Sequence, residues 1–169
     1  MTGVKNIRDA IHGDLPFSEL EIQLMDTAEM QRLRGIRQLG ASYLVYPAAQ
    51  HTRFEHSLGT CYIAKRILKN LETQSSLKVP REDAKAVPAA ALLHDITHIP
   101  FGHTLEDERR IFPRHDTDPE RLEHFITRGE IGKLLSRHKI QHRVLELLTE
   151  KRGATEEPSW PGQIISHTI

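Results

Sequence analysis

The chain has 169 residues, enough for one domain with a real core, and its 38% hydrophobic and 27% charged residues fit a globular protein in water. Lys plus Arg and Asp plus Glu each total 23, so the formal net charge is zero and nothing marks a general nucleic-acid or membrane-surface binder. One cysteine, Cys61, excludes an internal disulfide framework, no apolar run reaches the roughly eighteen residues of a spanning helix, and Met1 to Ala10 lack a signal-peptide core; the expectation is a cytoplasmic protein that does not meet a membrane.

In chain order, Ser18-Glu19-Leu20-Glu21 is a capping box with Ser18 as N-cap. Ile22, Met25, Leu33 and Ile36 then recur at helical spacing, which predicts a helix up to the stop at Gly40. Tyr43-Leu44-Val45-Tyr46 is β-prone and ends at Pro47, an extended link or small hairpin. Ser57 to Leu71 reads as a second amphipathic helix with Leu58, Cys61, Tyr62, Leu68 and Leu71 inward. Arg81 to Asp95 reads as a third, with Pro88 kinking it or marking a late start and Ala89 to Leu93 as its most buried piece. Asp118-Pro119 supplies an N-cap and N1 pair for a fourth helix through about Thr127. Arg143 to Lys151 is a fifth, and Gly153 to Gly162 a loop with Trp160 anchored on the core. The class is all-α, with a short extended or hairpin segment toward the N-terminus.

The most informative stretch is Ala91 to His103, where His94 and Asp95 sit side by side at the end of an apolar helical run and His98 and His103 follow. A buried Asp is costly unless paired or coordinated. Imidazole nitrogen beside carboxylate oxygen suits a divalent ion such as Mn, Fe, Zn, Mg or Ni. His56 lies at the start of the second helix, so two packed helices could bring His56, His94 and Asp95 to one cation. Arg53, three residues earlier, either grips a phosphate bidentately or pairs with Glu55 or another acid. Taken singly, each histidine reads first as an ordinary satisfied residue near a helix end.

The ordered pattern, however, resembles the HD-domain phosphohydrolases. It is most similar to the branch containing the deoxynucleoside triphosphate triphosphohydrolase that carries SAM and HD domains, and its bacterial relatives. The resemblance rests on Arg53-Phe54-Glu55-His56-Ser57-Leu58-Gly59 and on His94 to His103, with Asp9-Ala10-Ile11-His12-Gly13 and Gln31-Arg32-Leu33-Arg34 through Gln38-Leu39-Gly40 also alike. It covers most of residues 5 to 126. It implies an HD-domain helical bundle over 1–169, a single domain that is incomplete, with the metal-site core at about 40–126. The family closes its metal site with a later Asp, and no Asp follows Asp118 here, so a truncated or fragmentary chain is expected. Thr97 stands where the family usually has Gly.

The resemblance implies hydrolysis of a deoxynucleoside triphosphate to deoxynucleoside and triphosphate. His115 matches the general acid, Glu106 the carboxylate that orients it, and His98 and His103 line the phosphate pocket. Gln38 and Leu39 match sugar contacts, with Leu39 excluding a 2′-hydroxyl. Lys5, Asp26, Gln31 and Arg34 match positions that hold an activating guanine nucleotide between subunits, which implies a homo-oligomer for the full-length form. Two other readings stand beside this one. The substrate is another nucleotide or phosphate ester, or the chain is a regulatory module impaired by the missing Asp.

Overall fold

The computed structural model describes residues 4–75, 77–102, 104–112, 118–150 and 158–167. The chain opens with an antiparallel hairpin, β1 (Lys5–Asp9) and β2 (Gly13–Phe17), with Lys5 opposite Phe17 and Ile7 opposite Leu15. The Asp9 carboxylate accepts from the amides of Ile11 and His12, and Gly13 takes φ +77°, which closes the turn. Leu15 and Phe17 point inward and are buried.

The hairpin is therefore formed by this segment and not by Tyr43–Tyr46. That stretch falls in and just after a 3₁₀ turn (Ser42–Leu44), where the Ser42 carbonyl accepts from Val45 and Tyr46. Leu44, Val45 and Tyr46 are exposed, so β propensity found no apolar surface to cover.

After the Ser18/Glu21 capping box, α1 (Glu19–Met25) stops well short of Gly40. Thr27 interrupts it: its hydroxyl donates to the Leu24 carbonyl at 2.7 Å and accepts from the Met30 amide. One side chain thus closes α1 and caps α2 (Ala28–Gln31), which passes into a 3₁₀ turn (Arg32–Gly35). Met25, Leu33 and Ile36 remain buried, so the apolar period survived although the helix did not.

The centre of the fold is a pair of helices, α3 (Arg53–Gln74) and α4 (Asp83–Leu93). Every residue of α4 from Ala86 to Leu93 is buried, because α1, α3 and two later helices, α7 (Gln141–Thr149) and α8 (Trp160–His167), pack around it. Pro88 lies inside α4 without ending it. Ala86, Ala89, Ala90 and Ala91 keep its surface small, which lets neighbouring helices approach closely. α5 (Pro119–Thr127) starts as expected from the Asp118 side chain, which accepts from the Arg121 amide at 3.0 Å.

α6 (Gly129–Arg137) was not foreseen, although Ile131, Leu134 and Leu135 carry its apolar stripe. α7 (Gln141–Thr149) is tied to the start of α4 by Arg143, whose Nε donates to Asp83 at 2.7 Å. α8 (Trp160–His167) corrects the loop expected through Gly162. Pro161 falls in its first turn, where a missing amide costs nothing, and Ile164 and Ile165 are buried.

α3 begins where it does because Thr52 accepts from the Glu55 amide while the Glu55 carboxylate accepts from the Thr52 amide at 2.6 Å. Thr52→Ala is expected to lower unfolding free energy by about 1 kcal/mol, read as a shift of the urea midpoint at unchanged slope.

Candidate metal centre

His56 sits in the first turn of α3, and His94 and Asp95 occupy the turn directly beyond the last residue of α4. The two helices are held in contact there by Thr60, whose hydroxyl lies 2.9 Å from the Ala91 carbonyl. The imidazole Nε2 atoms of His56 and His94 come within 3.2 Å of each other. His94 Nε2 is 3.3 Å from Asp95 Oδ1, and His56 Nε2 is 3.9 Å from Asp95 Oδ2. One ligand atom from each of the three residues lies within 4.8 Å of the others.

This donor set fits a divalent cation. His94 Nδ1 lies 2.8 Å from the Ala91 carbonyl, and a carbonyl can only accept, so Nδ1 carries the proton and Nε2 keeps its lone pair. Two imidazole nitrogens at 3.2 Å need a positive centre between or beside them, a proton or a metal. Burial first, and then the neighbouring His94, lower the pKa of His56 below its ordinary value despite the opposing pull of Asp95. His56 is thereby held in its neutral, metal-binding form at neutral pH.

Asp95 is buried and shared by several cationic or proton-bearing groups. The Arg53 guanidinium reaches its Oδ2 at 2.7 Å, and His98 Nε2 is 3.3 Å from its Oδ1. Burial pushes the carboxyl pKa up, but His94, His98 and Arg53 outweigh it and hold Asp95 well below the usual carboxylate range. Of the two readings of Arg53, the pairing with an acid is the contact seen. The acid is Asp95; Glu55 is engaged with Thr52.

The remaining expected site residues are less closely gathered. His98 is buried beside Asp95 rather than open to solvent. Glu106, also buried, lies in a π-helical turn (Thr104–Glu108) and approaches His98 across Gly102, where an added Cβ would come 3.2 Å from His98 Nδ1 and 3.5 Å from Glu106 Oε1. Gln38 is half-buried, and its backbone N–H donates to the His51 carbonyl, which brings its loop alongside the start of α3. Leu39 is half exposed, so it is not a core residue.

Asp26 and Lys5 are exposed. Gln31 and Arg34 are engaged with each other at 2.8 Å, and the Arg34 guanidinium lies 3.7 Å from the Phe54 ring centroid. His103 and His115 lie outside the described residues.

Two supporting residues escaped the sequence reading. Thr60 carries no motif signal beyond its place one turn after His56. Arg32 donates to the carbonyls of Ile96 and His98, partners more than sixty positions away, which no local pattern could show.

The HD-domain family model matches residues 53–167. An uncharacterized protein of Methanocaldococcus jannaschii is 41% identical over 145 residues, covering 84% of this chain and 30% of that protein. The deoxynucleoside triphosphate triphosphohydrolase SAMHD1 of Gallus gallus is 35% identical over 175 residues, covering 94% of this chain and 28% of that protein. The chain thus spans less than a third of the length of either relative. Among solved structures, a phosphohydrolase from Bacteroides thetaiotaomicron superposes with a TM-score of 0.78 at 30% identity, over 97% of this chain and 38% of its own. Taken with the His56, His94 and Asp95 cluster, these similarities settle the family: the chain belongs to the HD-domain proteins.

Proposed function

We propose that the protein is a metal-dependent phosphohydrolase that converts deoxynucleoside triphosphates to deoxynucleoside and triphosphate. The observation that carries this reading is the convergence of His56, His94 and Asp95 within 4.8 Å. Its direction toward deoxynucleotides is supported by similarity to proteins named deoxynucleoside triphosphate triphosphohydrolase, among them the Bos taurus protein, 45% identical over 104 residues.

His56, His94 and Asp95 would hold the ion. A divalent cation in such a site lowers the pKa of water and polarises a phosphoryl oxygen. Arg53 fixes one oxygen of Asp95, so the other faces His94 and His98. His98 bears on the phosphate side of the site through its contact with Asp95, and His103 is assigned beside it on the sequence motif. Release of the deoxynucleoside requires a proton at its 5′-oxygen, which His115 donates in this reading, with Glu106 as its orienting carboxylate.

Gln38 and Leu39 form the sugar wall. An exposed Leu39 can pack on a deoxyribose, and a 2′-hydroxyl against it would lose solvation without gaining a partner. Lys5, Asp26, Gln31 and Arg34 are proposed as an activating-nucleotide face, used in a homo-oligomer of the full-length protein.

The test is metal-loaded protein incubated with each deoxynucleoside triphosphate and its ribose counterpart, with products separated by ion-exchange chromatography. Triphosphate and deoxynucleoside in equal amounts are expected. Release of orthophosphate or pyrophosphate instead, or turnover of phosphate monoesters alone, overturns the assignment.

His94→Ala and Asp95→Asn are expected to lower turnover by about a hundred- to a thousandfold, on the order seen when an electrostatic group at a reaction centre is removed. They are also expected to abolish tight metal uptake in equilibrium dialysis. The lowered pKa of His56 gives metal uptake a pH dependence of definite sign. Affinity holds from neutrality down to about pH 6.5, the ordinary histidine value, and weakens below that as protons compete for the His56 imidazole. A titration of metal content between pH 5 and 8, in steps of about one unit across that window, checks it.

A further inference from the structure

We infer that Arg32 is a positioning residue that sets the geometry of the metal cluster by gripping the backbone of the turn that carries Asp95 and His98. Its Nη1 donates to the His98 carbonyl at 2.7 Å and its Nη2 to the Ile96 carbonyl at 2.6 Å. These contacts join a 3₁₀ turn early in the chain to the segment leaving α4.

The backbone explains why an arginine is needed. A helix end leaves its last carbonyls without amide partners. At the end of α4 the Ala91 carbonyl receives His94 Nδ1 and the Thr60 hydroxyl, Leu93 receives the Ile96 amide, and Asp95 receives the His98 amide. The Ile96 and His98 carbonyls, in the turn beyond the helix, receive the Arg32 guanidinium. A planar guanidinium can serve two carbonyls at once in fixed directions, and an ammonium cannot.

The grip is not an ion pair. Among the described residues Arg32 has no carboxylate partner; its guanidinium lies 5.8 Å from the Phe125 ring centroid, and Arg121 sits one turn before Phe125 on the same helix. Its charge is directed at the two carbonyls. Asp95 lies one residue before one gripped carbonyl and His98 bears the other, so a shift of the fork displaces both side chains. Displacement of a group that orients ligands characteristically weakens metal binding by 10–100-fold.

This inference rests on the metal reading of His56, His94 and Asp95, and the experiment separates the two. Co²⁺ is titrated into chelator-treated full chain, following the visible absorption band and the heat of binding. The samples are wild type, His94→Ala, Arg32→Lys and Arg32→Gln, each corrected for folded fraction by circular dichroism. The expected result is tight binding by wild type and none by His94→Ala. Both Arg32 variants are expected to bind at least about tenfold more weakly per folded molecule, with a changed band shape. Lys retains charge but not the fork, so its failure to rescue marks the geometry as the cause. Wild type that binds no Co²⁺ overturns the metal reading and this inference with it. Wild-type binding matched in affinity and band by the Arg32 variants, even at reduced thermal stability, overturns the inference alone and leaves Arg32 a stabilising residue.

Discussion

The Asp95 carboxylate is the constraint around which the structure is organised. It is buried just beyond a helix that is enclosed from Ala86 to Leu93, where an unpartnered charge would be driven to neutralise. It stays ionised because Arg53 contacts one oxygen while His94 and His98 face the other. Those groups come from the start of α3, from the residue before Asp95 and from the residue three beyond it. The carboxylate therefore fixes the relative position of α3 and the segment after α4. His56 and His94 approach the same carboxylate, His56 toward Oδ2 and His94 toward Oδ1.

Such a charge cluster is not a source of fold stability in its own right, since desolvating buried ions offsets most of their attraction. The surrounding apolar packing supplies the stability. α4 contributes an unbroken buried run from Ala86 to Leu93, and α3 places Phe54, Leu58, Cys61, Ala64 and Leu68 against the core. Burial of that surface is the dominant favourable term. Removing Asp95 would leave Arg53 as a buried cation without its acid, so the polar cluster acts as a specification of geometry on a scaffold stabilised elsewhere.

How much of this was legible in the sequence follows from the range of each interaction. Ser18, Thr52 and Asp118 announce helix starts through partners three residues away, and a reader of local sequence finds two of them directly. The His56 and His94-Asp95 elements were visible as donor types at helix ends, and their union depended on α3 packing against α4, which the apolar faces implied. The break at Thr27 was hidden because an intact apolar period on both sides looks like one helix. Tyr43 to Tyr46 misled because β propensity expresses a fit to a half-buried sheet, and no sheet lies beside it. α8 was concealed by Pro158 and Pro161, which read as loop residues although a helix tolerates proline in its first turn. The Arg32 contacts span more than sixty residues and leave no periodic trace.

The division between rigid and irregular parts bears on chemistry. His56, His94 and Asp95 stand at helix termini, whereas the loop from Gln38 to His51 and the segment from Ile99 to Gly102 are built of turns. Gly40 and Phe101 approach each other there, an added Cβ on Gly40 reaching 3.9 Å from the Phe101 ring. Phe101 itself holds φ +57°, a left-handed conformation that costs a bulky residue about 1–2 kcal/mol. Strain of that kind persists only where neighbouring contacts impose it. Here it turns the chain immediately after Pro100 and leaves the aromatic ring half exposed beside the loop that carries Leu39. The polar cluster of Asp95, His94 and Arg53 thus stands at the ends of packed helices, while Leu39 and Phe101 present exposed apolar side chains from turns.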